Sequence, residues 1–76
     1  GVILYSVAFI STKQTEELYA EYNSALKVAK FSITTLNRQA SQTFIKAVSG
    51  GNEFSVVITP RMNGAAVQLA YSEKYN

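Results

Sequence analysis

The sequence contains no cysteine, histidine, tryptophan or aspartate, and a single proline. Without cysteine there is neither a disulfide framework nor a thiolate metal site, so packing alone must hold the domain together. Without histidine, the commonest zinc ligand and the usual general base near neutral pH are also missing. Most metal-dependent and triad chemistries are excluded at this step, and no catalytic residue, metal or cofactor is expected. The remaining acids are five glutamates. Glu16, Glu17 and Glu21 fall where a helix start and a solvated helix face explain them, and Glu53 is isolated.

Charge is sparse. Only 16 % of residues are charged, and the net charge of +2 arises from Lys13, Lys27, Lys30, Arg38, Lys46, Arg61 and Lys74. No two of these are adjacent, whereas proteins that displace many counterions from phosphates cluster their cations on one element, so nucleic acid is not an expected partner. Long apolar runs are also lacking. Val2 to Ile10 is broken by Ser6 and is far short of the roughly 20 residues a membrane-spanning helix needs. With no basic leader before it, it does not read as a signal peptide. Because the chain opens at Gly1 inside a strand-like run, it is expected to be a piece trimmed from a longer precursor. An export signal or lipid-attachment site would then lie upstream.

What is present suits one folded domain. At 76 residues and 47 % hydrophobic content, the chain can build a single small core and no second one. Val2–Ile10 reads as a strand buried on much of both faces, with Ile3, Tyr5, Val7 and Phe9 sharing one side. Thr15, followed by Glu16 and Glu17, signals a helix start. Leu18, Tyr22, Ala25, Leu26 and Ala29 then recur at helical spacing, and the helix is expected to run to Lys30. Phe31–Leu36 alternates apolar and hydroxyl residues as a half-buried strand does, and residues 37–41 turn the chain. Two further strands, Thr43–Val48 and Phe54–Thr59, flank a Gly50-Gly51 hairpin turn, and Pro60 is expected to end the second of them. Asn63-Gly64 is a type I′ hairpin signal leading into a last strand, Ala65–Tyr71. The expected fold class is α+β, in the order β-α-β-β-β-β, with one helix packed on one face of an antiparallel sheet.

Contact candidates follow from this layout. Tyrosine joins an apolar body to a polar tip and suits both core margins and binding surfaces. Tyr5, Tyr22, Phe31 and Phe54 are expected in the core. Tyr19 lies beside the helix stripe, Tyr71 and Tyr75 lie near the end of the chain, and Arg61 projects at a hairpin tip, so these four are the candidate partner contacts. The sheet face away from the helix, with Val48, Val57, Ala66 and Ala70, and the sheet edges are candidate surfaces for a protein partner or for self-association.

Thr15 to Tyr71 resembles small bacterial lipoprotein-type domains of unknown function. The likeness is carried by a helix ending in Ala25-Leu26 and running into Phe31-Ser32-Ile33, and by Phe44-Ile45-Lys46-Ala47. It continues through Phe54-Ser55-Val56-Val57-Ile58 and Gly64-Ala65-Ala66-Val67-Gln68-Leu69. More distantly, the chain is similar to the repeated domains of the outer-membrane assembly lipoprotein C. The resemblance implies a tethered domain of the periplasm or cell envelope that works through protein contacts, with the cytoplasm as the alternative setting. A non-catalytic structural or interaction module is therefore expected. The alternative is a nucleic-acid or small-ligand binder using the open sheet face.

Overall fold

Short local signals place each element. In the computed structural model, which describes residues 1–74, strand β1 (Val2–Ser11) is followed by helix α1 (Thr15–Val28). Strands β2 (Ser32–Gln39), β3 (Gln42–Ser49), β4 (Asn52–Arg61) and β5 (Gly64–Lys74) complete the chain. The strands form one sheet in the order β1-β5-β4-β3-β2, antiparallel at every pairing, and α1 packs on one face of it. The fold is α+β, with β2 to β5 a simple meander. The helix carries the chain from one edge of the sheet to the other, and β1 and β2 are the two edges.

The helix opens one residue earlier in its capping than the sequence suggests. Gln14, in extended conformation, is the N-cap, and its N–H donates to the Glu17 carboxylate at 3.4 Å, as in a capping box. At the other end Lys30 takes a positive φ of 65°. Its N–H donates to Lys27 O at 3.0 Å, and Phe31 N–H donates to Leu26 O at 2.9 Å. This pair of bonds is a Schellman motif, which ends the helix two residues short of Lys30 and turns Phe31 back onto the core beside Leu26.

The buried helix stripe is Leu18 and Leu26, with Tyr19 and Tyr22 packed against the core, whereas Ala25 and Ala29 are exposed. Relative to the sequence reading, the stripe is rotated toward Tyr19. The larger side chains on that flank cover more of the sheet than the alanines could. Beneath them lie Ile45, Ala47, Val56, Ile58, Ala65 and Val67, all but inaccessible to solvent. The helix packs mainly on β4, β3 and β2. The molecule is elongated, 43 × 20 × 18 Å, so its core is thin.

The turns tighten the sequence reading. Ala40-Ser41, Gly50-Gly51 and Met62-Asn63 are two-residue connections, so the strands run longer than expected. Asn63 does not take positive φ, and Gly64 is the first residue of β5, paired with Arg61. Its glycine is needed for a close approach, because a Cβ there would sit 1.9 Å from Ser11 O. Pro60 does not end β4. The pairing with β3 stops at Ile58, so at Pro60 the strand has β5 alone as neighbour and a missing N–H breaks no β3 ladder.

Candidate interaction surface

The two edges of the sheet are built differently. β2 carries Thr34, Thr35, Asn37, Arg38 and Gln39 and has a register shift between Ile33 and Thr35. Its Arg38 guanidinium lies 3.9 Å from the centroid of the Tyr19 ring and pairs with Glu16, which ties the helix to this edge. Polar side chains, a cation and a bulge are the usual means of discouraging a sheet edge from recruiting another strand.

β1 has none of these features. Its ten residues, VILYSVAFIS, include no charge and no proline, and its register with β5 runs unbroken from Val2↔Lys74 to Ser11↔Ala65. The sequence reading placed this strand in the interior. Instead it is exposed along nearly its whole length, with Leu4 77 %, Val7 53 % and Phe9 40 % accessible. The misreading has a physical source: a strand apolar on both faces has the composition of a central strand, and this one stands at an edge.

Pairing fixes which side chains share a face. Ile3, Tyr5, Val7 and Phe9 oppose Glu73, Tyr71, Leu69 and Val67, so they lie on the helix side of the sheet, yet all four stay exposed. An aromatic row leads from the core to this strand. Phe31 meets Phe54 at 6.4 Å between centroids, Phe54 meets Tyr71 at 6.2 Å, and Tyr71 stacks on Tyr5 at 5.9 Å. The row ends on Tyr5, which is 52 % exposed and not a core residue as expected. A depression of about 540 Å³ lies here, bounded by Tyr5, Val7, Phe54, Leu69 and Tyr71.

The other face of β1 presents Leu4, Ser6, Ala8 and Ile10. Leu4 and Ser6 border a second depression of about 450 Å³ that reaches Phe44, Ser55 and Ala70. Lys46 and Glu53 cross this floor as an ion pair at 2.9 Å. Val48, Val57, Ala66 and Ala70 do lie on this face, interspersed with Lys46, Glu53, Ser55 and Gln68, so it is a mixed surface and not a flat apolar one.

The structure separates the four contact candidates. Tyr71 sits beside β1 in the aromatic row. Tyr19 is half-buried under Arg38, which occupies its ring face. Arg61 is exposed at the end of β4, at the tip of its hairpin with β5. Tyr75 lies outside the described residues. The exposed β1 side chains Leu4, Val7 and Ile10 were not among these candidates, because their apolar periodicity reads as core. Among the described residues no cluster of three metal-ligating side chains occurs, and no helix is long and apolar enough to cross a membrane. No protein-family model, curated protein or solved structure matches this chain.

Proposed function

We propose that this domain is a non-catalytic protein-interaction module of the bacterial cell envelope and that its contact surface is the β1 edge. The observation that carries the reading is the exposed, uncharged, unbroken ten-residue edge strand. Such a strand offers a row of backbone donors and acceptors between apolar side chains on both faces, the surface to which partners add a strand. The envelope setting rests on the lipoprotein-like pattern of the sequence. Phosphate recognition on the open face is disfavoured by the pairing of Lys46 with Glu53, which cancels that cation locally.

Photo-crosslinking in the source cell tests this. With a photoreactive residue in place of Leu4 on β1, or of Asn37 on β2, protein adducts are expected from Leu4 alone, and in the envelope fraction. No adduct at Leu4, or equal adducts from both edges, would overturn the edge assignment. Adducts confined to the cytosol would overturn the envelope setting.

A further inference from the structure

We infer that the occupant of the β1 edge is a second copy of this chain, paired antiparallel through β1 about a two-fold axis normal to the sheet. The inference rests on the reading of β1 as a contact edge and names its partner. Three observations favour self-pairing.

The first is area. Val2, Ile3, Leu4, Tyr5, Val7, Phe9 and Ile10 are each 40–77 % exposed. At roughly 150–250 Å² for a large side chain, they leave on the order of 700 Å² open. That open area bounds what pairing can bury, and it lies between the roughly 500 Å² minimum and the about 800 Å² per partner of a stable interface. The second is charge. In an antiparallel self-pair every residue of β1 faces a residue of the same strand, and like charges placed opposite one another destabilise a sheet. With no charged residue among the ten, every register is free of that penalty.

The third is the match of faces. An axis normal to the sheet leaves both helices on the same side of a ten-stranded sheet. Residues directly opposite one another across the axis then share a face, so helix-side residues meet only helix-side residues. Ile3, Tyr5, Val7 and Phe9 of one copy meet the same set in the other, and Leu4, Ser6, Ala8 and Ile10 do likewise. Two centred registers satisfy this, with Ser6 or with Val7 on the axis. The first sets Leu4 against Ala8 of the other copy and Tyr5 against Val7. The second sets Leu4 against Ile10 and Tyr5 against Phe9. In both, the aromatic row that stops at Tyr5 continues into apolar side chains of the second copy.

The experiment is sedimentation of the chain over a concentration series, with cysteine pairs to read register. The chain has no cysteine of its own, so introduced pairs report without background. The wild type is expected to sediment as a dimer at micromolar concentration. Val7→Lys, at a position exposed enough to leave the fold intact by circular dichroism, is expected to weaken self-association by on the order of a hundredfold or more. Leu4→Lys serves the same purpose if Val7→Lys unfolds. Mixing Leu4→Cys with Ala8→Cys, or with Ile10→Cys, is expected to give a disulfide-linked dimer in one combination. Leu4→Cys with Phe9→Cys, on opposite faces and self-opposed in neither register, is expected to give none. A wild type that stays monomeric to millimolar concentration overturns the inference, as does a dimer that neither lysine weakens. If that monomer still yields Leu4 photo-adducts with another protein, self-pairing fails while the edge reading stands.

Discussion

Truncating Leu26 tests the helix-on-sheet packing at its most consequential point. Leu26 is 5 % exposed, sits in the core cluster, and supplies the carbonyl that accepts from Phe31 in the helix-ending motif. Leu26→Ala removes three carbons, a transfer loss of about 2.4 kcal/mol at roughly 0.8 kcal/mol each. The cavity contribution should be small, because the core is one helix deep and its walls can close in. A cost of about 2–4 kcal/mol follows, within the usual range for Leu→Ala. A domain of this size has on the order of 4–11 kcal/mol of stability, and 1 kcal/mol shifts its melting temperature by about 4–8 °C, so the melt should fall by about 8 °C or more. Urea titrations at one protein concentration, followed by circular dichroism, read this directly. Lys27→Ala and Ala25→Lys, both at exposed positions, should each change stability by less than about 0.5 kcal/mol. If Ala25→Lys costs as much as Leu26→Ala, the helix is rotated from the orientation described and the reasoning fails.

Lys30→Gly should stabilise the domain by about 0.5–1 kcal/mol, because a non-glycine residue at φ 65° carries a left-handed penalty that glycine does not; a loss of stability in the same urea titration would refute this. Gly64→Ala should cost about 3 kcal/mol or more, since the new Cβ meets backbone at Ser11 and φ is +145°. Gly50→Ala, where φ is +61° and nothing lies within 4 Å, should cost only about 1 kcal/mol, so equal melting shifts would contradict the distinction. Burial, and then the charge of Glu21, hold the Tyr22 phenol above its usual value of 10.0. The Lys13 ammonium is raised by its hydrogen bond to Glu21 and by that charge. In both cases the contribution is fully present below the unfolded-state value and is lost as pH rises through the folded one. Stability should therefore fall above about pH 10, and Tyr22→Phe should flatten that fall in a pH series of thermal melts.

The sequence carried the element order because its signals are local. Thr15 and Glu17 mark the start of α1, Gly50-Gly51 marks a turn, and the Phe54–Thr59 alternation marks a strand. It misplaced what depends on neighbours. β1 has the composition of an interior strand, and nothing local reports that the last strand of the meander, β5, pairs with it and leaves it at an edge. The rotation of α1 toward Tyr19 is set by the partner surface, where Arg38, nineteen residues away in sequence, covers the ring. The close approach that demands Gly64 likewise depends on Ser11, far away in the chain. Of the candidate surface, Tyr71 was legible from its place near the end of the chain, and the sheet edges from the fold class. Which edge was exposed, apolar and unguarded required the register.

Amide hydrogen exchange along the two edge strands tests the role of β1 most directly, because it reads whether the outward-facing backbone of β1 is covered. Measured across a concentration series of the wild-type chain, amides in Val2–Ser11 should gain protection as concentration rises, while those in Ser32–Gln39 stay unchanged; Val7→Lys should abolish the gain. Equal exchange at both edges, with no dependence on concentration, would contradict the dimer and leave β1 a bare edge in the isolated chain.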